Sequence, residues 1–144
     1  MRGCGSGIGS DMDGIIWIAL AGGVCASAAA LYGHYFVLPA WMTGPRICRL
    51  EAGGCAVLFR SPRARLLGVP NAALGLGLYA VLAAGLLLGW PRGWLAALTL
   101  PALAMSAFLG YSLLANRREC RICWTGHVSN AVLFPALAWT AFDA

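Results

Sequence analysis

Two pairs of cysteines are the residues in this chain best suited to chemistry. Cys120 and Cys123 form a C-x-x-C motif, and Cys48 and Cys55 lie close together earlier in the chain. A thiolate attacks the sulfur of a disulfide, so paired cysteines can exchange disulfides with other proteins. The C-x-x-C spacing lets a disulfide form and break with little movement of the backbone. The cysteine pattern therefore predicts redox chemistry between thiols and disulfides.

The C-x-x-C motif stands at the start of an apolar segment that we predict to be helical. Free N–H groups and the helix dipole at a helix N-terminus stabilise a thiolate. Arg117 and Arg118 precede the motif, Arg121 lies within it, and all three add positive charge. These neighbours indicate reactive cysteines, since the thiolate is the attacking form.

A metal site is the alternative interpretation of the same four cysteines. Zinc sites also use C-x-x-C, and Cys48 and Cys55 could complete a four-sulfur site in a metal-binding or metal-carrier membrane protein. The edge of an apolar segment offers no ligand-rich scaffold, so we favour redox chemistry and expect no metal ligands. Cys4, in a Gly/Ser-rich tail, and Cys25, expected to be a small buried hydrophobe, are not assigned to the reaction.

The composition excludes an ordinary water-soluble domain. Hydrophobic residues make up 60% of the 144 residues and charged residues only 10%, against roughly 25% charged in soluble domains. Segments without Asp, Glu, Lys or Arg predict an all-α integral membrane protein, a single four-helix bundle, with residues 1–13 as a flexible tail. The helices are expected near residues 14–38, 70–90, 94–115 and 121–141. Abundant Gly and Ala in the first two indicate close helix packing.

The order of these helices predicts where the cysteines meet. With four spans, the loop after the first helix and the loop before the fourth emerge on the same side of the membrane. The first of these loops is the longest and carries Cys48 and Cys55, and the second ends at Cys120. Both cysteine pairs are therefore expected to converge on one face.

The basic charge indicates lipid as a partner and gives no support for nucleic acid. The net charge is +5, and all ten basic residues are Arg, which can bind lipid phosphates through two hydrogen bonds. No nucleic-acid motif accompanies them. We therefore expect contact with membrane headgroups.

The combination of motifs resembles the vitamin K epoxide reductase family over residues 14–140. The features that carry the resemblance are Cys48 and Cys55, then Phe59 and Ser61, a Pro70-Asn71 pair opening the second helix, and the C-x-x-C motif followed by Asn130. The resemblance implies a four-helix bundle around a quinone pocket. It also implies that microbial members reoxidise thioredoxin-like partners with ubiquinone, menaquinone or a related quinone.

The resemblance also implies a role for each cysteine. Cys123 would face the quinone, Cys120 would exchange with the loop pair, and Cys48 and Cys55 would meet the partner. The chain is then expected to be a dithiol:quinone oxidoreductase that generates protein disulfides.

Four further residues are candidates for the quinone site. Asn71 matches a family residue that hydrogen-bonds a quinone carbonyl, although it could simply cap a helix. His127 stands where animal members usually place a tyrosine, and it could donate to the other carbonyl or only bond a neighbouring helix. Ser61 could bond a loop thiol or cap a short helix over residues 62–66, and Phe59 could wall the pocket or close it against lipid. We interpret His34 as a packing or interfacial residue.

The arginines are distributed unequally about the predicted membrane. Arg46, Arg49, Arg60, Arg63, Arg65, Arg117, Arg118 and Arg121 lie on the cysteine-bearing side, against Arg2 and Arg92 on the other. The positive-inside rule then places the cysteines in the cytoplasm, opposite to the usual microbial arrangement. An extracytoplasmic face is the alternative, in which these arginines tune the thiols. Intracellular disulfides suit a thermophile, and the chain lacks Gln and has few Asn.

Overall fold

The computed structural model describes residues 6–36, 38–39, 41, 61–66, 68–117 and 120–143. Its elements include four long helices, as the sequence predicts. These are α1 (Ser6–Tyr35), α2 (Asn71–Leu87), α3 (Arg92–Ala115) and α4 (Arg121–Phe142). Before α2 lie a short 3-10 helix (Pro62–Ala64) and an antiparallel pair of two-residue strands, β1 (Arg65–Leu66) and β2 (Val69–Pro70). The predicted cysteine-bearing loop falls mostly outside the described residues.

The start of α1 corrects the sequence prediction of a flexible tail over residues 1–13. The helix begins at Ser6, so most of that segment is helical. The carboxylate of Asp13 pairs with the guanidinium of Arg92 at 3.0 Å, and Met12 packs against the core. This ion pair joins the first part of α1 to the start of α3.

The helices pack around α4, which lies along both α1 and α3, while α2 packs mainly on α1. The largest buried side chains at the centre are Ile16, Leu82, Leu95, Leu133 and Leu137. They come from the first half of α1, the second half of α2, the start of α3 and the second half of α4. The densest packing therefore lies at the end of the bundle away from Cys120.

A tight turn joins α2 to α3. Gly89 adopts a positive φ of 70°, a conformation that glycine reaches without a steric penalty. The N–H of Trp90 donates to the carbonyl of Gly85 at 2.8 Å, and the N–H of Gly89 donates to that of Leu86. These two bonds satisfy the last carbonyls of α2. Because only residues 88–91 separate the two helices, α3 runs back antiparallel to α2.

Two of the described helices are long and apolar enough to cross a membrane by length and composition. They are the Ser10–Tyr35 part of α1 and the whole of α3, Arg92–Ala115. Helix α2 is apolar but has 17 residues. The dimensions therefore support a membrane location most directly for α1 and α3.

Glycines let α1 approach its neighbours closely. A Cβ atom added at Gly22 would lie 3.0 Å from Oγ of Ser129 in α4, and one added at Gly23 would collide with the ring of Tyr79 in α2. Such small residues allow the van der Waals contact that holds helices together in lipid. The expectation of close packing from Gly and Ala is met at these crossings.

We expect Gly23→Ala to destabilise the bundle by about 1–3 kcal/mol, because the new methyl group overpacks the contact with the Tyr79 ring. The control is Gly77→Ala, where an added Cβ has nothing within 4 Å. Denaturant titration of both variants in one detergent measures the free energy of unfolding. Equal stability of the two variants would contradict the close α1–α2 contact.

Candidate functional site

The C-x-x-C motif forms the first turn of α4. Cys120 is the residue before the helix, with φ −140° and ψ 103°, and its sulfur accepts a hydrogen bond from the backbone N–H of Cys123 at 3.3 Å. An anion at this sulfur would be stabilised by that N–H and by the positive end of the helix dipole. The structure therefore confirms the prediction that a cysteine sulfur lies at the N-terminus of this helix.

The two thiols of the motif have different surroundings. The Cys120 side chain is fully buried and packs in an apolar cluster with Ala26, Leu38 and Ile122. Cys123 is only half-buried and carries a free thiol. Because Leu38 comes just after α1, the end of α1 and the start of α4 meet at this cluster, which agrees with the predicted topology.

A cavity of about 800 Å³ opens beside Cys123. Its wall is formed by all four helices and by residues that precede α2, and apolar side chains dominate it. The residues before α2 are Ser61, Pro62, Ala64, Leu66 and Pro70. The volume lies within the roughly 300–1,000 Å³ typical of small-molecule sites. Apolar walls with a few polar groups suit an apolar ligand that carries a small number of hydrogen-bonding atoms.

Four of the residues expected from sequence line this cavity together: Ser61, Asn71, Cys123 and His127. Cys120 lies next to it in the buried cluster. The other three, Cys48, Cys55 and Phe59, lie outside the described residues, so their predicted positions stay predictions.

Helix geometry places three polar or reactive side chains on one face of α4. Cys123, His127 and Asn130 follow one another at intervals of four and three residues, which is the spacing of one helix face. All three line the cavity. The His127 ring also contacts the Trp124 ring edge to face, with centroids 6.1 Å apart. His127 thus lies about one turn, or about 6 Å, from Cys123 along the helix.

Ser61 and Asn71 reach the cavity from either side of the β1–β2 pair. Asn71 is the first residue of α2, directly after Pro70. Ser61 precedes the 3-10 helix, but its side chain makes no capping bond to it. Ser61 thus occupies the position before the short helix without capping it through its side chain. The helix predicted over residues 62–66 ends at Ala64, and β1 follows.

The β1–β2 pair is tied to the end of α1. Arg65 Nη2 donates to His34 Nε2 at 3.3 Å, and the His34 side chain is buried. His34 also borders the cavity. His34 therefore has the packing role expected from sequence. Its partner Arg65 belongs to β1, and the β1–β2 pair contributes to the cavity wall.

A second polar group within the bundle was not anticipated from sequence. The Tyr79 hydroxyl donates to Asn130 Oδ1 at 2.7 Å, and Asn130 Nδ2 donates to Ser106 Oγ at 2.8 Å. These residues come from α2, α4 and α3, and all line the cavity. In the sequence, these three residues could have been noticed as polar side chains within apolar segments, where such side chains are rare and commonly functional.

Cys25 corrects another expectation. Its side chain is exposed on the outside of α1 instead of buried in the bundle. Apolar surroundings in sequence do not distinguish a side chain that faces lipid from one that faces another helix. Cys25 does not line the cavity that Cys123 and His127 share.

The comparisons with known proteins agree with the site. Residues 15–138 match the model of the vitamin K epoxide reductase family. No curated protein and no solved structure matches the chain significantly. The family match covers nearly all the described helices together with the C-x-x-C motif and the cavity. The chain therefore belongs to the vitamin K epoxide reductase family, whose members are membrane-embedded oxidoreductases of disulfide chemistry.

Proposed function

We propose that this protein is a membrane dithiol:quinone oxidoreductase that generates protein disulfides. The observation that carries the proposal is the position of Cys123, whose thiol lies on the wall of a large apolar cavity beside Asn71 and His127. A quinone is apolar and lipid-soluble, and it accepts two electrons and two protons to become a quinol. The chain offers a matching dithiol, an apolar chamber and hydrogen-bonding side chains.

Electrons enter from a thioredoxin-like partner. The partner's dithiol is oxidised to a disulfide while the disulfide between Cys48 and Cys55 is reduced. That loop pair then reduces the disulfide between Cys120 and Cys123. Each exchange forms one sulfur–sulfur bond as another breaks, so two electrons and two protons move at every stage.

The burial of Cys120 and the half-exposure of Cys123 support different tasks for the two sulfurs. Cys123 touches the cavity and passes electrons to the acceptor. Cys120, kept from the cavity by its apolar cluster, exchanges with the loop pair. When the two close into a disulfide, their two electrons and two protons leave toward the cavity.

Asn71 and His127 fit the task of binding the acceptor's oxygens. An amide N–H of Asn71 can donate to one carbonyl, and the imidazole of His127 can donate to another or supply a proton. Ser61 lies on the same cavity wall and serves as a further donor, and Phe59 would complete the apolar wall. These interactions fix the distance between the acceptor and Cys123.

The competing function is metal binding or metal transport by the four cysteines. A single experiment separates the two. We expect purified protein, supplied with a reduced thioredoxin-like protein and a soluble quinone, to reduce the quinone, measured by absorbance. A preparation that carries stoichiometric zinc and reduces no quinone would refute the redox function.

Trapping assigns the cysteines within this reaction. Cys123→Ser is expected to abolish quinone reduction and to leave Cys120 joined to a loop cysteine in a stable disulfide, because the resolving thiol is missing. Non-reducing peptide mapping identifies that bond. Cys25→Ser is the control and should retain nearly full turnover, since its side chain faces away from the cavity. Loss of turnover in folded Cys25→Ser protein would contradict the assigned route.

We expect His127→Ala to slow quinone reduction by about tenfold or more, the size typical of losing one donor to a group that gains charge. The exchange between the partner and the cysteines should keep its rate. Stopped-flow measurements of the two half-reactions test this separately. A histidine that only packs would lower the melting temperature and slow both half-reactions in proportion.

We also propose that the cysteine-bearing end faces the cytoplasm, with quinone taken from the membrane. Arg117 and Arg121 are exposed at that end. At the other end, the charge of Arg92 is offset by Asp13. Both facts agree with an excess of positive charge on the cysteine-bearing side, which the positive-inside rule places in the cytoplasm. Intracellular disulfide formation would suit a thermophilic source.

Reporter fusions in a bacterial host measure this orientation. A fusion after Ala144 should show phosphatase activity and no fluorescence of a fused fluorescent protein, because α4 ends on the side opposite the cysteines. A fusion after Arg117, at the cysteine end, should give the reverse. The opposite pattern at both positions would place the cysteines outside the cell.

A further inference from the structure

The hydrogen-bonded group formed by Tyr79, Asn130 and Ser106 lies deep in the cavity. It joins three helices through bonds of 2.7 and 2.8 Å. The side chains of Tyr79 and Ser106 are only 2% and 8% exposed. Polar groups buried to this degree in a membrane bundle need partners, and the two bonds supply them for Tyr79 and Asn130.

These bonds have a direction that leads to Ser106. The Tyr79 hydroxyl donates to the amide oxygen of Asn130, which fixes the amide so that its nitrogen faces Ser106. Ser106 Oγ is therefore an acceptor in this group, and its own hydrogen remains to be donated. Within the described part of the chain, no protein acceptor receives that hydrogen. A fixed, buried donor is thus left on the cavity wall.

The depth of Ser106 matches the far end of a quinone ring. Asn130 follows His127 by three residues, or about 4.5 Å along α4, and it holds Ser106 at its own level. A 1,4-quinone carries its two carbonyl oxygens at opposite ends of the ring. A ring with one oxygen near Asn71 and its reactive edge at Cys123 would therefore extend its other oxygen toward His127 and, deeper in the bundle, Ser106.

The chemistry of the group indicates positioning and charge stabilisation. The amide of Asn130 interrupts the two hydroxyls and is a poor proton carrier, so the group is not a proton path. A fixed donor binds an oxygen more strongly as that oxygen gains negative charge during reduction, and in an apolar cavity this gain is large. The bond would therefore favour the reduced state over the oxidised one.

We infer that the Ser106 hydroxyl donates a hydrogen bond to the deeper carbonyl oxygen of the bound quinone, with Asn130 and Tyr79 as positioning residues that orient it. This inference rests on the proposed function and adds to it a further hydrogen-bond donor, which lies deeper in the bundle than His127. The group thereby fixes how far the ring enters the bundle.

The test compares Ser106→Ala with Ser129→Ala in the full chain, using a short-chain 1,4-naphthoquinone and a reduced thioredoxin-like protein. Ser129 is 6% exposed and adjoins Asn130, but it packs toward Gly22 and does not line the cavity. We expect Ser106→Ala to lower kcat/KM for the quinone by about tenfold while thiol exchange keeps its rate. Ser129→Ala should change neither value, and Ser106→Thr, which keeps the hydroxyl, should restore most of the loss.

Each outcome bears on the inference. If Ser106→Ala and Ser129→Ala give the same kcat/KM, or if Ser106→Ala slows thiol exchange and quinone reduction equally, Ser106 only joins helices and the inference is wrong. Tyr79→Phe should produce a smaller loss of the same kind, since the Asn130 amide is freed to rotate. If the unaltered protein reduces no quinone, the proposed function fails; if it does and the two alanine variants agree, only this inference fails.

Discussion

The bond from the Cys123 backbone N–H to the Cys120 sulfur sets the geometry on which the site depends. It holds Cys120 just before α4 begins, where its side chain packs against Leu38 and Ile122. Cys123, already within the first turn, faces the cavity. Two thiols three residues apart thereby have separate environments. One lies in a buried apolar cluster and the other on the cavity wall, and the proposed two-stage electron transfer requires such a difference.

The bundle is divided into a packed end and a hollow end. Leu133 and Leu137 of α4 pack with Ile16 of α1 in the dense core away from the cysteines. Toward the cysteines, small residues such as Ala26 and Ala30 leave room for the cavity. Tyr79 belongs to both regions, since its ring packs in the core and its side chain lines the cavity. Its ring therefore forms the boundary between them.

The sequence predicts the helices well because a membrane permits few structures, and runs without charge mark them. It also predicts the helix start at Cys120 and the candidate lining residues Asn71 and His127. It does not predict the bonds of Tyr79 and Ser106, because helix spacing shows which residues share a face but not which faces meet. The sequence also predicted wrongly that Cys25 is buried in the bundle. Lipid-facing and core-facing residues have similar composition in a membrane protein, so composition does not show which way a side chain faces.

The three-helix group of Tyr79, Asn130 and Ser106 has a consequence for how the chain is made. Asn130 belongs to α4, which follows α2 and α3 in the chain, so the hydroxyls of Tyr79 and Ser106 are synthesised before their common partner. The short turn at Gly89 lets α2 and α3 pair early, yet the hydrogen bonds that Asn130 makes with Tyr79 and Ser106 can form only when α4 is in place. A chain interrupted before α4 would therefore display polar groups within the bilayer, a mark by which cellular quality control can distinguish unfinished copies.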